Sequence, residues 1–255
     1  MAGSTFSVVI PTCDRPIYLK DCIKSVLAQT LPAFEILIID NGRKPIDPEL
    51  LPSENNVQLI RALPRFGVSQ ARNLGVILSA GDYIAFLDDD DRWDSNYLSE
   101  IYRTIKKTGA QIILGRLRDL ETGLPIEGKQ ANFKDREELV RQILLRNPGT
   151  GGSNTVVDRI TILGGPGYDP WITTGQDKAF VLDLLLSGFM PARADEGWVD
   201  FRKNSEGSRQ TELTKHTQGK WRFLRKYWTN MDWSARLFNL KQIGQLYIRR
   251  VRKRL

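Results

Sequence analysis

Apolar residues fall in short runs of two kinds. Phe6 to Pro11 is almost continuously apolar and β-branched, and it ends at a proline. Phe34 to Asp40, Val57 to Ala62, Tyr83 to Leu87 and Ala110 to Leu114 repeat that character. Between these runs the apolar positions recur every three or four residues. Ile17 to Gln29 puts Cys22, Ile23, Val26 and Leu27 on one helical face. Ser69 to Ala80 and Ser95 to Thr108 read as helices stopped by Gly81 and Gly109. Apolar strands alternating with helices predict an α/β fold, with a Rossmann-like, mostly parallel central sheet flanked by helices.

After Gly115 the rhythm breaks. Leu124-Pro125 reads as a turn, Arg136 to Leu145 as a helix, and Asn147 to Asn154 as a loop. Thr155 to Val157 is a short strand, Gly164 to Tyr168 a second glycine-rich loop, and Gln176 to Ser187 a helix. Gln218 to Arg254 is helical and basic.

Ligands of open α/β sheets bind beyond the carboxyl ends of the strands. Three polar segments fall there: Pro11-Thr12-Cys13-Asp14-Arg15, Asp40-Asn41-Gly42 and Asp88-Asp89-Asp90-Asp91. Adjacent carboxylates repel and raise one another's pKa. A divalent cation shared with phosphate oxygens relieves that repulsion, and hard oxygen ligands suit Mg²⁺ or Mn²⁺. An isolated acidic run is more often a solvated helix cap. Its position directly after an apolar strand favours the cation site.

Charge divides the chain. The net charge of +7 over 255 residues separates into +11 from Lys215 to Leu255 and −4 elsewhere. Trp221, Leu224, Trp228, Met231, Leu237, Leu240, Tyr247 and Val251 fall near helical spacing among the basic residues. Such a segment binds an anionic membrane surface or packs on the body of the protein. Arg249 to Arg254 favours the membrane. Met1 to Thr5 is short and polar, so no signal peptide is expected, and no apolar run is long enough to span a bilayer. Cys13 and Cys22 read as free thiols of a reducing compartment.

In this order the clusters resemble the family 2 glycosyltransferases of the GT-A fold. The residues concerned are Val8-Val9-Ile10-Pro11-Thr12-Cys13-Asp14-Arg15, Ser25-Val26-Leu27-Ala28-Gln29-Thr30, Ile38-Ile39-Asp40-Asn41-Gly42 and Gly67 to Gly75 with its Arg72-Asn73 pair. The DxD motif follows in Leu87 to Asp91. Gly151-Gly152-Ser153-Asn154 resembles the family's small-residue loop under the acceptor. Gly164 to Asp169 resembles its Gly-Gly-Phe-Asp turn. Gly175-Gln176-Asp177 stands where the family has Gly-Glu-Asp, with Gln176 replacing the usual Glu.

The resemblance implies an inverting, metal-dependent transfer of sugar from a nucleotide diphosphate, with UDP assumed, to an acceptor hydroxyl. Pro11, Thr12, Asp14 and Arg15 would bind the nucleotide sugar, with Asp40 at the base. Arg72, Asp88 and Asp89 would lie beside ribose or diphosphate, and Asp90 would hold Mn²⁺ or Mg²⁺. Asp177 would be the general base, and a carboxylate in that place could equally be held by the helix dipole. Asn204 stands where the family has histidine. Arg202 and Arg209 are candidates for holding diphosphate, and His216 reads as a surface residue. The implied organisation is a catalytic domain over 1–214, with a nucleotide-sugar half (1–115) and an acceptor half (116–214), then a basic amphipathic tail over 215–255. A glycan or lipid-linked glycan acceptor follows, in bacterial surface polysaccharide or glycolipid assembly. The location would be cytoplasmic, peripheral on the inner face of the membrane. A nucleotidyltransferase would need a glycine-rich basic loop after the first strand. A nucleic-acid partner is not expected, because the body is acidic and no binding motif is present.

Overall fold

The computed structural model describes residues 4–203 and 213–252. Asn204, Arg209 and the side chains from Arg249 onward lie outside what it describes. In chain order the strands are β1 (Phe6–Thr12), β2 (Glu35–Asp40), β3 (Val57–Arg61), β4 (Tyr83–Phe86), β5 (Arg92–Trp93), β6 (Ile112–Asp119), β7 (Thr155–Asp158) and β8 (Pro191–Phe201). The helices are α1 (Pro16–Leu27), α2 (Val68–Leu78), α3 (Tyr97–Thr108), α4 (Arg136–Leu145), α5 (Arg159–Gly164), α6 (Gln176–Leu186), α7 (Leu213–Lys226) and α8 (Trp233–Arg252).

Among the described residues the strands form one sheet in the order β3-β2-β1-β4-β7-β6-β8-β5. The first four are parallel, with Val9 beside Leu37 and Phe86. β7 runs antiparallel between β4 and β6, so the sheet is mixed in its second half. This is where the simple strand–helix rhythm stops in the sequence.

Three elements escape the apolar pattern. β8 alternates polar and apolar residues and carries Asp195 and Glu196 at its middle, so it has no apolar run. β5 spans only Arg92 and Trp93, and α5 occupies residues that end in the expected Gly164 loop. Gly115, expected to close a strand, lies inside β6. A Cβ there would crowd the Tyr97 ring and stand 2.9 Å from the Gly197 carbonyl oxygen, so the glycine lets α3 and β8 approach.

Both faces of the sheet are covered. On one side α1 and α3 bury Leu19, Ile23, Tyr97 and Ile101 against Val8, Ile10 and Ile38. On the other, α2, α4 and α6 pack on Val9, Leu37, Phe86 and Leu114. Phe223, Leu224, Tyr227, Met231, Ala235 and Ile243 of the basic segment join this second core. The Asn239 amide donates to the carbonyls of Leu144 (2.9 Å) and Ala235 (2.8 Å), which ties α8 to the end of α4. One face of the basic segment is therefore continuous with the core on this side of the sheet. No helix among the described residues is long and apolar enough to cross a membrane.

Candidate active site

β4 ends at Phe86, and the chain then delivers the four aspartates alternately up and down. Asp88 and Asp90 line a cavity at the carboxyl edge of the sheet, while Asp89 and Asp91 are buried beneath it. Asp89 accepts a hydrogen bond from Thr12 Oγ1 at 2.7 Å and is ion-paired with Arg15. The same guanidinium reaches Asp90 Oδ2 at 2.8 Å. Asp91 accepts from Ser153 Oγ and, at 2.8 Å, from the Arg202 backbone N–H. Burial pushes Asp89 up to about 7 although Arg15 pulls the other way, and burial raises Asp91 well above the carboxylate range.

Arg72 comes from the first turns of α2 and is buried. Its Nη2 reaches Asp88 Oδ1 at 2.5 Å and its Nη1 reaches Asp177 Oδ1 at 2.6 Å. The guanidinium carbon lies 4.9 Å from the centre of the Tyr168 ring. Gly152 makes room for it, because a Cβ at 152 would meet Arg72 Nη2 and come within 2.8 Å of Asp88 Oδ1. Asp177 is the second residue of α6, which follows Gly175, whose φ of +72° suits glycine. Burial raises the Asp177 pKa, and the Arg72 charge opposes that shift.

The cavity measures about 480 Å³, within the usual range for small-ligand sites. Pro11, Thr12, Arg15, Arg72, Asp88, Asp90 and Asp177 line it, as does Arg202. Arg202 Nε donates to the Asp90 carbonyl at 3.1 Å, and its guanidinium sits over the Tyr18 ring at 4.7 Å.

Three of the residues expected at the ligand are held by protein partners. Asp89 is fully buried beneath the cavity. Asp40 lies outside the lining, and its carboxylate accepts from Gly42 N (2.9 Å), Ile46 N (2.9 Å) and Arg61 Nη1 (2.7 Å). Asp14, at φ +59°, accepts from Arg43 N at 2.6 Å and also lies outside the lining. Asp40 and Asp14 thus shape the loops after β2 and β1. His216 is half-buried on α7 and away from the cavity.

Ser153 and Asn41 carry no ligand role in the sequence pattern. Ser153 binds Asp91 through its hydroxyl and accepts from Asp88 N at 3.1 Å, so it braces the acidic run. Its only signal was membership of a small-residue loop. Asn41 faces the cavity next to buried Asp40. Gln176, in the place of the usual Glu, is buried at the cavity edge, and its Oε1 has no partner among the described residues.

Among the described residues no three His, Cys, Asp or Glu side chains converge on one metal position. Mg²⁺ sites commonly need only one or two carboxylates, with phosphate oxygens and water completing the shell. Asp88 and Asp90, both hard oxygen ligands open to the cavity, fit such an ion.

The model of the glycosyl transferase family 2 matches residues 7–159. The chain belongs to this family. A putative teichuronic acid biosynthesis glycosyltransferase, TuaG of Bacillus subtilis (strain 168), is 27% identical over 218 residues, covering 83% of this chain and 84% of that one. The glycosyltransferase GlyG of Streptococcus pneumoniae serotype 4 is 28% identical over 113 residues, 43% of this chain. The matched part spans only 38% of GlyG. Among solved structures, S. aureus TarS 1-349 in complex with UDP-GlcNAc superposes with a TM-score of 0.67 at 15% identity. It covers 87% of this chain and 66% of that one. GalNAc-T7 with UDP, GalNAc and Mn²⁺ gives 0.67 at 17% identity, over 89% of this chain and 49% of that one. The family member described here therefore has the GT-A fold.

Proposed function

We propose that the protein transfers a sugar from a nucleotide diphosphate, with UDP the nucleotide, to an acceptor hydroxyl with inversion. One observation carries the reading: Asp177 and Asp88 grip the same buried guanidinium of Arg72 at one end of the cavity. That shared contact supports reading Asp177 as a base held within reach of the carboxylates of the DxD motif.

Asp177 takes the acceptor proton as the hydroxyl oxygen attacks the anomeric carbon. The bond from that carbon to the phosphate oxygen breaks and the nucleoside diphosphate leaves. A single displacement needs no covalent intermediate. Arg15 and Arg202, both at the cavity, bring guanidinium charge to the diphosphate. A divalent cation held by Asp90 with Asp88 would add Lewis-acid stabilisation of the leaving group. Asp89 and Asp91 support these ligands from below.

UDP is favoured because the TarS and GalNAc-T7 structures are complexes of UDP or UDP-GlcNAc. The relatives include proteins named for teichuronic acid biosynthesis and as a poly(ribitol-phosphate) beta-glucosyltransferase. By analogy we assign this chain to bacterial surface-polymer or glycolipid assembly. Residues 1–115 serve the nucleotide sugar and 116–214 the acceptor. The outer face of α8 carries exposed Trp233, Leu237, Tyr247 and Ile248 with Arg236 and Lys241, which suits the anionic inner face of a cell membrane.

The deciding experiment measures nucleotide release from a panel of nucleotide sugars, with Mn²⁺ and with a chelator. Release from one UDP-sugar that depends on Mn²⁺ is expected. Full activity in chelator removes the metal, and no release from any nucleotide sugar removes the reading.

A further inference from the structure

We propose that Lys129, Lys178 and Lys220 form a subsite for an anionic group, a phosphate or a carboxylate, carried by the acceptor. The assignment rests on the glycosyl-transfer reading and names the acceptor's chemical class.

Three elements bring these amines together. Lys178 follows Asp177 in the first turn of α6 and is turned about 100° from it. Its Nζ lies 3.6 Å from the centre of the Phe223 ring on α7. Lys220 is also on α7, directly after Gly219, where a Cβ would stand 2.8 Å from Thr174 N. That close approach draws α7 onto the segment leading into α6. Lys129 Nζ donates to the Asn147 carbonyl at 3.0 Å, at the start of the loop whose Gly152 packs under Arg72 and Asp88. Lys178 is thus the next residue after the proposed base, and Lys220 lies one turn before the Phe223 that its amine covers.

All three side chains are half-buried. None makes an ion pair with a carboxylate among the described residues. Lys226, six residues along α7 from Lys220, shows the ordinary arrangement, with Asp169 at 3.0 Å and Asp183 at 2.8 Å. Desolvation lowers the pKa of each of the three amines. Lys178 is brought to about 7, with Lys220 and Lys129 adding repulsion. Like charges held out of water without a counter-ion are costly. If the lysine stems served only to cover Phe223, leucine or methionine would do so without that cost. The ring face offsets part of the charge at Lys178 alone. An anion between the three amines offsets the charge on all of them.

The test reads Lys178 directly. The full chain with UDP and Mn²⁺ is briefly treated with acetic anhydride near neutral pH, and acetylation of each lysine is quantified by mass spectrometry. A partly deprotonated amine labels readily. Glycerol phosphate and glucuronate should protect Lys178 and Lys220 while glycerol and glucose do not, and the better protector tells phosphate from carboxylate. Equal labelling with all four compounds, equal protection by the neutral ones, or no labelling in their absence overturns the subsite. Labelling requires no turnover, so it fails independently of the transfer reading. In a second arm, Lys178→Met and Lys220→Met are compared with the unaltered chain. Each should lose about tenfold or more in kcat/KM for phosphate- or carboxylate-bearing acceptors, the effect of about 1.4 kcal/mol. Hydrolysis of the sugar donor should be unchanged. An equal loss on neutral acceptors means that the lysines only support the fold.

Discussion

Arg72 Nη1 and Asp177 Oδ1 meet at 2.6 Å although 105 residues separate them in the chain. The other arm of the same guanidinium holds Asp88 Oδ1 at 2.5 Å. A planar fork can bind two carboxylates in fixed directions, and a lysine cannot. Arg72→Lys should therefore lower turnover by about 100-fold, the scale of a misplaced catalytic group. It should also cost about 1–3 kcal/mol, because the hydrogen bonds of a buried guanidinium to two half-buried carboxylates are lost. Rates at saturating sugar donor and denaturant melts check the two effects separately. An unchanged rate would show that Arg72 serves only the fold.

Asp177→Asn should cut kcat by at least ~100-fold while the affinity for UDP is retained. Because burial raises Asp177, the acid limb of the wild-type rate profile should lie above the ordinary aspartate range. The base works ionised, so turnover falls as pH drops through that raised value. Loss of affinity with a normal saturated rate would make Asp177 a binding residue instead.

The acidic run should separate by position. Asp90→Ala should abolish Mn²⁺-stimulated turnover and weaken UDP binding in Mn²⁺. Asp89, at about 7, should act on stability. Its unfolded value is about 3.9, so between the two values the folded chain holds a proton that the unfolded chain has lost. The stability contribution is full below the unfolded value and is lost as pH rises towards the folded one. Between about pH 4 and pH 7 the ligand-free melting temperature should fall, and fall less in Asp89→Asn. Parallel melting profiles for the two proteins would count against that titration.

Gly152→Ala should be damaging out of proportion to one methyl group. The added carbon collides with Arg72, which is fully buried and cannot swing away. A loss of about 1–3 kcal/mol is expected for such overpacking, together with reduced turnover. Gly164, where an added Cβ meets nothing within 4 Å, is the control, and its alanine variant should melt no lower than wild type.

The outer face of α8 should carry the chain to anionic liposomes at low salt, with release at high salt. Trp233 is 72% exposed and Leu237 63% exposed, so Trp233→Ser with Leu237→Ser should weaken sedimentation without changing the melt. Ending the chain at Lys241 is a different experiment, because it removes buried Ile243 and should lower stability. Equal sedimentation of the surface variant would assign the binding to another face.

The chain's own pattern determined the parallel half of the sheet, the helices α1 to α4 and α6, and the acidic run at a strand's carboxyl end; α5 and the break between α7 and α8 were not legible in it. Those features are local: a buried strand needs a continuous apolar run and an amphipathic helix a periodic one. β8 was illegible because it is half-buried and alternates polar with apolar residues, so its pairing with β6 comes from its neighbours. The sequence placed Asp40, Asp89 and Arg72 together near a ligand. It could not say that Asp40 is taken by Gly42, Ile46 and Arg61, or that Asp89 lies beneath the cavity. Carboxylates of one type are alike in a sequence, and only burial and the nearest partner distinguish them. The +11 of the last segment was likewise a property of the sequence. That one face of it would share a core with α4 and α6 was decided by long-range packing, which no local pattern encodes.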